Sequence, residues 1–169
     1  MKKLARFGAV MAAAFLTMPL LGDTMSVPNA EKPAFTFDVP ADWHPKGDAD
    51  DESAEATSPD KHVYISSWIV SGSEMKDLEK DIEKTLADSM GKVDPEHKEE
   101  TMQLNGIDFT LIKGTGTDKR EGNKVKFQVA LFPAGGDKVG IFYADYDADA
   151  PADTTDTLQG IIKSIKVTK

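Results

Sequence analysis

Apolar and polar residues alternate with a period of two through much of the second half of the chain. Met102 and Leu104 lead into Asn105-Gly106, after which Ile107, Phe109 and Leu111 alternate with Asp108 and Thr110. That pattern on either side of Asn-Gly predicts a two-residue hairpin. A polar reversal from Asp118 to Asn123 precedes Val125, Phe127, Val129 and Leu131, which alternate with Lys124, Lys126 and Gln128. Ala134-Gly135-Gly136-Asp137 turns the chain again, and Val139, Ile141 and Tyr143 resume the alternation. The expectation is an antiparallel meander with an apolar odd-numbered face and an even face apolar in patches, at Ile112, Ala130, Phe132, Phe142 and Ala144.

Upstream, Phe35, Phe37 and Val39 mark a first strand that ends at Pro40, which has no N–H for a ladder. Trp43 just beyond reads either as a plug at the edge of the core or as a stacking residue in a cleft. Residues 48 to 60 are acidic and loop-like, with a short edge strand at Ser53–Ser58. Val63, Ile65, Ser67 and Ile69 oppose Tyr64, Ser66, Trp68 and Val70, so residues 63 to 70 predict a central strand covered on both sides. From Ser71 to Gly91 the period changes: Met75, Leu78, Ile82, Leu86 and Met90 recur by threes and fours. This predicts a helix capped by Ser71 with Glu74, or by Ser73, and stopped at Gly91. A second helix opens at Asp153-Thr154-Thr155 and buries Leu158, Ile161, Ile162 and Ile165, with Ile165 and Val167 as a possible extended tail.

Two amphipathic helices and one sheet with two faces to cover predict an α+β fold: a central antiparallel sheet with a helix packed on each face, a three-layer α/β/α sandwich. Both helices on one face is the alternative. The N-terminus is a separate object. Lys2, Lys3 and Arg6 precede an apolar run from Phe7 to Gly22, the pattern of a secretory signal peptide. The run is shorter than the roughly 20 apolar residues of a membrane span. Small residues at Thr24 and Ser26 place cleavage after residue 26, and Leu20-Leu21-Gly22 is a rival exit. The expected organisation is a signal peptide at 1–26, a flexible leader at 27–33 and one domain at 34–169, in the periplasm or secreted, with no stable membrane insertion after cleavage.

Charge narrows the partners. The net charge of -9 becomes about -11 when Lys2, Lys3, Arg6 and Asp23 are removed, which argues against nucleic acid. Arg occurs only at Arg6 and Arg120, leaving little capacity for bidentate anion recognition. There is no cysteine, hence no disulfide framework and no lipidated anchor.

The strand Phe35-Thr36-Phe37-Asp38-Val39, its continuation Pro40-Ala41-Asp42-Trp43, and the order strand, long strand, helix, antiparallel strands, closing helix resemble secreted bacterial members of the superfamily that includes PsbP, the extrinsic subunit of the photosynthetic oxygen-evolving complex. The resemblance covers roughly residues 34 to 168. It implies an antiparallel sheet with helices on both sides and a non-enzymatic binding or assembly role; it supplies no site residues.

Candidate chemistry is sparse. Asp145, Asp147 and Asp149 stand at alternate positions as in a calcium loop, but Ala150 replaces the required Gly and Asp156 the closing Glu. His44, His62 and His97 have no ligand spacing, and Gly114-Thr115-Gly116 lacks the helix a phosphate cradle needs, so it reads as a loosened strand end or bulge. Trp43, Tyr64, Trp68, Tyr143 and Tyr146 are the candidate ligand or partner surface. The reading is therefore a monomeric or weakly dimeric exported factor with no cofactor that binds an envelope protein or peptide. The alternative is an envelope hydrolase, or a weak calcium binder using residues 145–156.

Overall fold

The computed structural model describes residues 21–47, 53–119 and 122–168. Residues 1–20, which carry most of the apolar run read as a signal peptide, residues 48–52 of the acidic loop, Arg120-Glu121 and Lys169 lie outside them. The strands are β1 (Leu21–Val27), β2 (Phe35–Pro40), β3 (His44–Gly47), β4 (Ser53–Thr57), β5 (Val63–Ser71), β6 (Met90–Leu104), β7 (Ile107–Asp118), β8 (Lys124–Pro133), β9 (Lys138–Asp147) and β10 (Lys166–Val167). The helices are α1 (Leu78–Ser89) and α2 (Ala152–Ser164). Strands dominate, all the pairings are antiparallel, and the fold is α+β.

Seven strands form one sheet in the order β3-β4-β5-β9-β8-β7-β6, and β1-β2-β10 form a second. The meander is present, and β5 lies between β4 and β9, as its two apolar faces require. The expected odd-numbered face is not a single face. Leu111 pairs with Ala130 and Ile112 with Val129, whereas Val129 pairs with Tyr143. Paired residues share a face, so the odd positions of β7 point opposite to those of β8 and β9. Accordingly, Phe109 and Leu111 pack with Ala130, Phe132, Phe142 and Ala144, while Val125, Phe127 and Val129 pack with Ile141 and Tyr143. Which parity of one strand shares a face with which parity of the next is set by the length and type of the turn between them as well as by the pattern.

The first of these clusters also takes Val27, Phe35, Phe37 and Val39 from the small sheet and Leu158, Ile161, Ile162 and Ile165 from α2. Phe35 meets Phe132 and Phe37 meets Phe142 edge to face. The second cluster takes Leu78, Ile82 and Leu86 of α1, none of them fully buried. The first predicted strand, β2, thus belongs to a separate small sheet. Its partner β1 occupies residues read as the end of the signal peptide and the start of the leader; Met25 and Val27 are buried, and Thr24 Oγ1 donates to Asp38 at 2.7 Å.

The helix expected from Ser71 to Gly91 begins as a 3₁₀ segment, Gly72–Asp77, and Ser71 makes no side-chain cap. Gly91 does not stop it. Met90 is already extended, and the chain passes straight into β6, which pairs with β7 across two register shifts. The irregularity read at Gly114-Thr115-Gly116 is therefore in β6. In β7, a Cβ at Gly114 would lie 2.5 Å from the ring of Phe127, and one at Gly116 2.6 Å from the Lys92 carbonyl oxygen. These glycines allow close approach rather than loosen a strand end. The C-terminal tail is extended, as β10, and Thr168 N–H donates to the Ala34 carbonyl at 2.9 Å.

Candidate functional site

Two neighbouring cross-strand rows run beneath a cleft that exposes His44, Lys46, Glu55, Thr57, Tyr64 and Asp145 and covers Ser66 and Tyr143. Lys46 pairs with Glu55, Glu55 with Ser66, and Ser66 with Tyr143. In the next row on the same face, His44 pairs with Thr57, Thr57 with Tyr64, and Tyr64 with Asp145. Because alternate residues of a strand share a face, β3, β4, β5 and β9 present a polar half of the sheet beside the apolar half under α1. The cleft encloses about 730 Å³, with Asp88 and Ser89 from the end of α1, Lys61 from the β4–β5 turn, and Asp118-Lys119 from the end of β7 at its walls. That volume is in the range of small-ligand sites. Lys119 Nζ donates to the Ala87 carbonyl at 3.2 Å, so a cation sits at the C-terminal end of α1, where the helix dipole favours it.

Between the two rows the Tyr64 and Tyr143 rings meet at 6.4 Å and 61°. Tyr143 is buried, and its hydroxyl donates to Asp145 Oδ2 at 2.7 Å. Burial, reinforced by the Asp145 charge, pushes the Tyr143 phenol well above its ordinary value. Burial again, then the adjacent Glu55 carboxylate, does the same to Tyr64. Both phenols stay protonated as hydrogen-bond donors and neither serves as a base near neutrality.

The five aromatic residues expected to share a surface divide into two groups. Tyr64, Trp68 and Tyr143 belong to the α1 side. Trp43 is buried in the other cluster, which is the plug reading, and Tyr146 packs against that cluster with Lys126 Nζ 5.9 Å from its ring. Trp68 faces a second hollow of about 520 Å³ beside α1, together with Asp81, Lys84 and Asp88.

Asp145, Asp147 and Asp149 do not gather. Asp145 receives Tyr143, Asp147 pairs with His62, and Asp149 is exposed in the following turn. The first two share one face of β9, but each is engaged by a different partner. Among the described residues no group of three or more His, Asp or Glu is arranged to hold a metal. The cleft residues missed from sequence are His44, Lys46 and Glu55. Their signal was the alternation of β3 and β4, legible only once strand partners are known.

No family model and no curated protein matches the chain. Among solved structures, the fold is similar to a protein of Bacteroides thetaiotaomicron VPI-5482 at 15% identity and a TM-score of 0.56, over 89% of this chain and 50% of that one. The chain thus spans about half the length of that protein. It is also similar to the Saccharomyces cerevisiae Ran-binding protein Mog1p at 15% identity and a TM-score of 0.51, over 79% of this chain and 90% of Mog1p. Both likenesses are of fold alone and fit the antiparallel α+β architecture described above.

Proposed function

We propose that the chain is an exported, non-catalytic binding or assembly factor built as a PsbP-like three-layer sandwich, whose partner enters the cleft lined by His44, Lys46, Glu55 and Tyr64. The observation that carries this reading is the cleft itself: a preformed concavity lined by hydrogen-bonding side chains and by both signs of charge. Such a surface suits a polar peptide segment, with lysines for its acidic groups and carboxylates for its basic ones. A Ran-binding protein on a similar scaffold supports a role in protein recognition. Export rests on Lys2, Lys3, Arg6 and the apolar run behind them.

The test is capture from an envelope fraction by the wild-type chain and by Glu55→Lys, with circular dichroism confirming that the variant is folded. A partner retained by wild type and lost by the variant is the expected result. Equal capture by both proteins, or none by either, overturns the reading. One observation favours a second reading, an envelope hydrolase: His44, Glu55, Tyr64 and Asp145 all line the concavity, and converging ionisable groups beside a cleft are a mark of catalysis. Turnover in a hydrolase screen that Glu55→Gln abolishes would establish that alternative.

A further inference from the structure

Asn105-Gly106 forms the whole two-residue turn between Leu104 and Ile107, with positive φ at both positions, 53° and 77°. Both residues are exposed, and no atom lies within 4 Å of where a Gly106 Cβ would stand. Asparagine also does something here that a turn does not require. Its Nδ2 donates to the carbonyl of Lys163 at 3.0 Å and to that of Ile165 at 3.4 Å, two carbonyls at the end of α2 that lack helical partners. The turn is thereby clasped to α2, and Met102, Leu104 and Ile107 beside it pack on the cluster that α2 covers.

We propose that Asn105 is a site of spontaneous covalent modification, and that its deamidation releases this clasp. The Gly106 amide nitrogen, having lost its proton, attacks Asn105 Cγ, and the side-chain amide leaves as ammonia, closing a five-membered succinimide. Water then opens the ring at either carbonyl, giving aspartate or, by rerouting the backbone, isoaspartate. One water is consumed and one ammonia released. Glycine at the next position leaves the attacking nitrogen unobstructed. The chain's other asparagines, Asn29 and Asn123, precede Ala30 and Lys124.

The product reverses the contact. A carboxylate at position 105 has no hydrogen to give the two carbonyls and places negative charge at the negative end of the α2 dipole. Asp-Gly nevertheless favours the same hairpin turn as Asn-Gly, so Asn105→Asp isolates the loss of the clasp from any loss of the turn. The experiment is incubation of the full chain in mildly alkaline buffer, with peptide mapping by mass spectrometry over time and melting curves for fresh protein, aged protein and Asn105→Asp. Conversion at Asn105 ahead of Asn29 and Asn123 is expected, with the aged protein and the variant both melting about 3–6 °C lower, the size expected for losing such hydrogen bonds in a domain of this length. Conversion at Asn29 or Asn123 first, or an Asn105→Asp protein that melts with wild type, overturns the proposal.

Discussion

His62 shows how one exposed side chain ties two strands together. It contacts Asp147 through Nδ1, while its carbonyl accepts the Asp147 N–H at 3.2 Å. The hydrogen bond to Asp147, with the charges of Asp60, Asp147 and Asp149 around it, raises the imidazole pKa above its ordinary value. A raised histidine contributes stability in full below its unfolded pKa, about 6.5, and loses that contribution as pH rises through the higher folded value. The melting temperature of wild type should therefore exceed that of His62→Asn by a margin that is largest in mild acid and closes above neutrality; a margin constant with pH would contradict the clasp. Asp60 runs the other way: the Ser58 hydroxyl lowers its pKa, so its contribution is lost as pH falls through the depressed value. Neither partnership was legible in the sequence, where His62 reads only as a surface residue before a buried strand. Asp147 lies 85 positions away, and only the β5–β9 register joins them.

The two helices differ in how firmly they are held. Helix α2 buries Leu158, Ile161 and Ile162 completely, and Ser164 Oγ at its end accepts the Asp38 N–H at 2.8 Å. Helix α1 buries none of its residues, and hollows open on two sides of it. Truncating a fully buried isoleucine costs about 2–5 kcal/mol, whereas a half-exposed one costs about 1 kcal/mol by the area it loses. Chemical denaturation should accordingly show Ile161→Ala far more damaging than Ile82→Ala, and hydrogen exchange should protect α1 less than α2. Both helices were visible as stripes of apolar residues recurring by threes and fours. The stripe told which residues face inward but not how deep, because depth depends on what the sheet offers beneath. Under α2 that is Phe142 and Ala144 with a second sheet alongside; under α1 it is a sheet face that turns polar at β4 and β5.

For the molecule as a whole, the alternation of apolar residues made the meander and the central strand legible, and the mix of strand and helix periods made the α+β class legible. The small sheet was not. Strand β1, reading Leu-Gly-Asp-Thr-Met-Ser-Val, continues in sequence from the apolar run read as a signal peptide, and composition alone assigns most of it to that segment. Cleavage after residue 26 would discard buried Met25 and most of the ladder to β2. The rival exit after Gly22 would retain Asp23 through Val27. If the chain is processed at all, intact-mass measurement of the mature protein should therefore find an N-terminus no later than Asp23, and a protein starting at residue 27 should melt lower. An N-terminus at Val27 on a fully stable protein would show that β1 is dispensable.

Strand β2 is flanked by β1 on one side and by β10 on the other. The earliest and the latest segments of the domain therefore meet on a single strand. A chain emerging from a ribosome has no β10 to offer until the strands and helices between it and β2 have already appeared. One edge of β2 stays open until then, and the domain closes last where it began.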